Sequence, residues 1–113
     1  SDRKKDVIIT GGENVSSVEV EDVIFSHPDV EEVAVIGVPD AKWGETIKAL
    51  VVKTPGSSLT EAELIAHCKS KVAGYKAPTT VEFRDVLART ATGKLQKFKL
   101  RAPYWEGQER QVN

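Results

Sequence analysis

Six consecutive residues, Val33-Ala34-Val35-Ile36-Gly37-Val38, offer nothing polar to either face of an extended strand. A strand with one wet face alternates apolar and polar side chains, so this one has to be covered on both sides. Pro39-Asp40 ends the run, a loop holding Trp43 follows, and Ile47 to Lys53 reads as its partner strand. The rest of the chain supplies the covering layers. Ser16 with Glu19 predicts a capping box for a helix over 17–27, with Val20, Val23 and Ile24 on one face and Pro28 as its stop. Thr60 with Glu63 predicts a second box, opening a helix that reaches about Val72 and aligns Leu64, Ile65, Cys68 and Val72. A terminal helix is expected from Gln96 to Ala102, stopped by Pro103. Val7 to Thr10 turns at Gly11-Gly12 into a small hairpin, and Thr80 to Phe83 reads as a third strand after a loop carrying Tyr75 and Lys76. Short connections in this order predict an α+β fold. Its sheet is small, mainly antiparallel and three-stranded, with helices packed on it and a short two-stranded hairpin ahead of it, all in one domain over residues 1–113.

Composition narrows the function classes. A chain of 113 residues buries roughly 65% of its unfolded surface, enough for a core without covalent staples. Its one cysteine cannot pair internally, which points to a reducing compartment and a cytoplasmic setting. A net charge of −1 provides no global basic field for nucleic acid or an anionic membrane, although Arg3 to Lys5 and Lys94 to Arg101 form local basic clusters. No apolar run of about eighteen residues predicts a membrane span. Neither His27 nor His67 has a second ligand nearby, so no metal site is expected, and Cys68 reads as core.

Chemistry points first to Thr90-Ala91-Thr92-Gly93-Lys94-Leu95-Gln96-Lys97. Lys94 is expected on a mobile glycine turn, where a compact ammonium can reach a phosphate or carboxylate oxygen, with the Thr90 and Thr92 hydroxyls beside it. A P-loop is excluded, because that pattern needs glycine at Ala88 and a hydroxyl at Leu95. About eighty residues earlier stands Asp2-Arg3-Lys4-Lys5-Asp6-Val7-Ile8-Ile9-Thr10-Gly11-Gly12-Glu13-Asn14. Together the two stretches resemble the eighth and tenth core motifs of the C-terminal domain of the adenylate-forming acyl-CoA synthetase superfamily. Trp43-Gly44-Glu45 and Tyr75-Lys76-x-Pro78 also fall where that family carries comparable residues, so the resemblance spans essentially the whole chain.

The resemblance implies a mobile lid domain with its hinge near residues 4–6, working with an N-terminal domain of the same protein that this sequence does not include. Lys94 matches the catalytic lysine and contacts ATP or AMP, Arg3 matches a donor to the nucleotide ribose, and Lys5 falls at the hinge. Gly11, Gly12, Trp43 and Tyr75 match positions that face coenzyme A, and Lys76 is the candidate for its phosphate contacts. Asp2 departs from the glycine common in relatives, and Ala77 stands where some carry a nucleotide-contacting arginine. The implied activity is ATP-dependent ligation of a carboxylic acid to coenzyme A through an acyl-adenylate. ATP, Mg2+ and coenzyme A are used by the full-length enzyme, with none bound to this domain alone and no activity in isolation. The start inside a motif suggests a longer protein, and a peroxisomal location is possible if the native terminus lies beyond Arg-Gln-Val-Asn. Two other readings stay open at this point. One is an adenylating relative that loads a carrier protein or works as a luciferase-like oxidase. The other is a non-enzymatic α+β module that holds an anionic partner with its basic ends.

Overall fold

A computed structural model of the chain describes residues 6–108. The fold is α+β. Strand β1 (Val7–Thr10) turns into β2 (Glu13–Ser16), then come helix α1 (Ser17–Phe25), strands β3 (Val30–Asp40) and β4 (Gly44–Lys53), helix α2 (Glu61–Lys69), strand β5 (Thr80–Phe83) and helix α3 (Lys97–Trp105). The long β3/β4 hairpin is the spine, paired in antiparallel register from Val30↔Lys53 to Asp40↔Gly44. β5 lies parallel to β4, with Ala49 opposite Val81. The predicted three-stranded sheet is therefore β3, β4 and β5. The hairpin expected ahead of it is joined to the same sheet at Thr10↔Gly44, giving five strands in all.

The doubly apolar run of β3 has the cover its composition demands. Val33 and Val35, with Ile47, Ala49 and Val51 of β4, face α1 and α2 through Val20, Ile24, Leu64 and Cys68. Ala34 and Ile36, with Leu50 and Val52, face the other way against Leu87 and Leu100, the latter on α3. Burial holds the Cys68 thiol at about 11, as expected of a core residue with no cation nearby.

Local signals set the helix starts, while long-range contacts decide where α3 ends. Thr60 and Glu63 form the complete reciprocal box (3.2 and 2.9 Å). Ser16 accepts from Glu19 N at 3.3 Å, but the Glu19 carboxylate turns instead to Lys76 at 3.3 Å, so only half of the first box forms. Pro103, predicted as the stop of α3, lies inside it, and the helix continues to Trp105. A proline this near the end removes few ladder bonds. Tertiary bonds hold the last turn: Tyr104 donates to Glu82 Oε1 (2.6 Å), Arg84 Nη2 donates to Tyr104 Oη (2.9 Å), and Trp105 Nε1 donates to the Gly37 carbonyl (2.9 Å). This last bond and that from Val35 N to Glu21 Oε2 (2.8 Å) occupy polar groups on the outer edge of β3, which blunts an otherwise exposed strand edge.

The Tyr104 hydrogen bond, the largest influence on Glu82, holds its carboxyl below the usual range, with Arg84 adding to the effect. A depressed carboxylate stabilises the fold above the unfolded value and loses that contribution as pH falls through the folded value. Tyr104→Phe is expected to cost about 1–2 kcal/mol at neutral pH, the lower part of the range for a bond to a charged group because Glu82 is partly exposed. The gap from the parent should narrow as acid protonates Glu82, which thermal unfolding at pH 7 and below pH 4 would measure.

Candidate functional site

Two clusters of candidate residues sit at opposite ends of the β3/β4 spine. At one end, Lys94 stands exposed on a tight hairpin that leads into α3. Gly93 takes φ +90, a conformation that L side chains rarely adopt, and donates its N–H to the Thr90 carbonyl (2.9 Å), while Thr90 N donates to the Lys94 carbonyl (2.8 Å). The threonine hydroxyls shape this turn: Thr90 Oγ1 accepts from Lys94 N (3.1 Å) and lies 3.0 Å from Thr92 Oγ1. Arg89 anchors it, donating to the Gly93 carbonyl (2.6 Å) and to Glu32 Oε1 of β3 through Nη2 (2.7 Å) and Nε (3.1 Å). The turn expected to be mobile is thus braced at its base, because a guanidinium can hold carbonyl and carboxylate together. Lys94 stands on its returning side, opposite Thr90 and beside the Arg89↔Leu95 bridge, with its side chain exposed.

At the other end, Gly11 and Trp43 meet. Gly11 has φ +57 and donates to the Trp43 carbonyl (2.8 Å), and a Cβ built on it would come within 2.7 Å of the indole Cε3. Gly12 differs: its φ is +85 and nothing lies within 4 Å of the Cβ position. Bare backbone is therefore presented outward by Gly12, whereas Gly11 is bare to admit the protein's own tryptophan. The Trp43 loop is fixed by Asp40 Oδ1, which accepts from Lys42 N (2.8 Å) and Trp43 N (2.9 Å). Lys42 Nζ lies 4.9 Å from the indole centroid, and Trp43 remains 48% exposed. Glu45 tucks its carboxylate over Gly37, where a Cβ would collide with it. Burial raises its pKa, against the opposing effects of Arg101 and a backbone hydrogen bond with Ile9.

Tyr75 and Lys76 form a third group, in one turn of 3-10 helix at Gly74–Lys76. Tyr75 is half-exposed, and Lys76 pairs with Glu19 of α1, so its cation is already engaged. Arg3 and Lys5 lie outside the described residues. His67 contributes to structure: Nε2 lies 2.9 Å from Ser26 Oγ and 3.1 Å from the Val23 carbonyl, and the ring packs edge-on against His27. Among the described residues no group of three or more His, Cys, Asp or Glu gathers as a metal site, and no helix is long and apolar enough to cross a membrane.

Sequence reasoning passed over the residues that brace the candidates. Asp40 carries a local signal, an acidic side chain opening a short turn, and was legible as an Asx turn. Glu32, Glu21 and Tyr104 carry none, since their partners are 57, 14 and 22 residues away.

The distance between the two ends follows from the spine. Glu32, which anchors the Lys94 turn, and Asp40, which anchors the Trp43 loop, are eight steps apart on β3, roughly 26 Å at strand rise. Comparison with known proteins gives this arrangement its kinship. The family model described as the AMP-binding enzyme C-terminal domain matches residues 19–94. The chain is 49% identical over 100 residues to a peroxisomal trans-cinnamate:CoA ligase of Petunia hybrida, covering 88% of this chain and 18% of that protein. ATP-bound MatB from Rhodopseudomonas palustris superposes with a TM-score of 0.86 at 42% identity over 89% of this chain and 20% of that one. A Mycobacterium tuberculosis fatty acyl CoA synthetase gives 0.84 at 46% identity over 88% and 20%. The chain thus spans about a fifth of the length of the relatives it matches, and it belongs to the AMP-binding enzyme C-terminal domain family.

Proposed function

We propose that this domain serves an ATP-dependent acyl-CoA synthetase, in which it presents Lys94 to the adenylation step and its opposite end to thioester formation. The observation that supports this reading is the separation just described, with a braced, exposed lysine at one end of the spine and an open Gly12 beside a half-exposed indole at the other. In the first step a carboxylate oxygen attacks the α-phosphorus of ATP, an acyl-phosphate bond forms, and pyrophosphate leaves. Both reactants are anionic, so an ammonium brought to them stabilises charge that develops in transit. In the second step a thiol attacks the acyl carbonyl and AMP leaves. There the bare backbone at Gly12 lets a narrow pantetheine chain pass, and the indole face of Trp43 suits an adenine. Tyr75 and Lys76 would add to the coenzyme A contacts once Lys76 leaves Glu19.

One reaction centre cannot be lined by both ends at once without turning the domain, which gives Lys5 its proposed place as the pivot and Arg3 its place at the nucleotide ribose. Mg2+ would travel with the ATP phosphates, held by the rest of the enzyme. A cytoplasmic or peroxisomal setting accompanies the reading, the Petunia relative being called peroxisomal.

The acceptor is tested with the full-length enzyme. Acid and ATP are supplied, free coenzyme A is added, and products are followed by mass spectrometry. An acyl-CoA thioester is expected. Acyl-AMP that accumulates untouched by coenzyme A would point to a carrier protein as acceptor and overturn the assignment.

A further inference from the structure

We propose that Lys97 is a positioning residue which fixes the arm bearing Lys94 relative to the segment entering from the pivot, and that it acts in the adenylation step alone. This rests on the reading of Lys94 given above. Lys97 Nζ lies 2.6 Å from Glu21 Oε2, donates to Ser17 Oγ at 3.0 Å and lies 3.6 Å from Asp6 Oδ1. Its side chain is only 14% exposed, and Ser17 is 1% exposed. These partners hold three places together. Asp6 directly follows Lys5, Glu21 and Ser17 belong to α1, and Lys97 opens α3 three residues after Lys94. Glu21 is itself fixed, because the same carboxylate oxygen accepts the Val35 N–H of β3.

The arm from Arg89 to Lys97 is therefore held at both ends. Arg89 ties its start to Glu32, and Lys97 ties its finish to Glu21 and Asp6. The first anchor lies on the sheet, and the second is the one that reaches the chain beside the pivot. A partly buried cation with three partners keeps its geometry, whereas a neutral residue there would leave two carboxylates facing each other without a countercharge. The Gly11–Trp43 end takes none of its contacts from Lys97. It is held by the Gly11 N–H bond, the Thr10↔Gly44 bridge and Asp40. Loosening the second anchor should consequently displace Lys94 and leave the thioester face in place.

The test uses the full-length enzyme and both half-reactions: pyrophosphate exchange for adenylation, and thioester formation from supplied acyl-AMP and coenzyme A. Lys97→Met is expected to slow exchange about 10- to 100-fold, the effect of misplacing a reacting group by about 1 Å, with the loss in kcat rather than in KM for ATP. Thioester formation should be unchanged, and Lys97→Arg should recover most of the exchange, since a guanidinium can still bridge the carboxylates. Asp6→Asn removes only the pivot-side partner, and a smaller loss confined to exchange is expected, which keeps the idea testable if Lys97→Met does not fold. Equal loss in both half-reactions, or no loss in either, would overturn the positioning role. Lys94→Ala serves as the control: if that variant exchanges pyrophosphate normally, the reading of Lys94 itself has failed.

Discussion

Lys94→Ala in the full-length enzyme is expected to lower acyl-adenylate formation about 10²- to 10³-fold, the usual consequence of deleting one preorganised charge-stabilising group. Thioester formation from supplied acyl-adenylate should change little. The large effect follows from placement. Lys94 stands in a hairpin braced by Arg89 and Glu32, with its own backbone bonded to Thr90, so its approach is fixed before the reactants meet and little reorganisation remains for the moment of reaction. The restricted effect follows from distance, since Glu32 and Asp40, the anchors of the two ends, stand roughly 26 Å apart along β3. Stability should change little, because the side chain is exposed and lies outside both cores. A variant that loses both half-reactions equally, with unchanged unfolding behaviour, would refute the division of labour between the two ends.

How much of this could be read in the chain depends on how far apart cause and effect stand. The doubly apolar run at 33–38 already required cover on both faces of the sheet, and it is there, from α1 and α2 on one side and from Leu87 and α3 on the other. Helix starts at Ser17 and Glu61 were legible, since a cap and its N–H partner are three residues apart. The end of α3 was not: Pro103 argues locally for a stop, and the Tyr104 and Trp105 bonds that carry the helix past it reach β5 and β3. The candidate site divides in the same way. Lys94, Gly11, Gly12 and Trp43 announce themselves by motif, while Arg89–Glu32 and Lys97–Glu21, which hold them, exist only after folding. Gly11 gives the sharpest contrast. Its sequence suggests bare backbone offered to a ligand, and the structure assigns that openness to Gly12, with Gly11 filled from inside by an indole.

That contrast yields the converse of the Lys94 result. Gly11→Ala is expected to slow thioester formation at least about tenfold, by displacing a contact group by an appreciable fraction of 1 Å or more, while pyrophosphate exchange stays near the parent rate. The new methyl would stand 2.7 Å from Trp43 Cε3, closer than packed atoms approach, so the indole has to swing away from the hairpin. Holding alanine at φ +57 adds about 1–2 kcal/mol of backbone strain. Both responses loosen the Gly11 N–H bond to the Trp43 carbonyl and the single bridge between hairpin and β4. Gly12→Ala separates the two roles, because at φ +85 it carries the same kind of backbone strain but its Cβ meets nothing within 4 Å: it adds a methyl to the path of the acceptor chain without pushing on the Trp43 ring. Indole fluorescence distinguishes the variants, with a shift expected for Gly11→Ala and none from the Trp43 ring for Gly12→Ala. If Gly11→Ala moves the fluorescence yet transfers acyl groups to coenzyme A at the parent rate, the hairpin and Trp43 take no part in the second step, and that end of the domain needs another role.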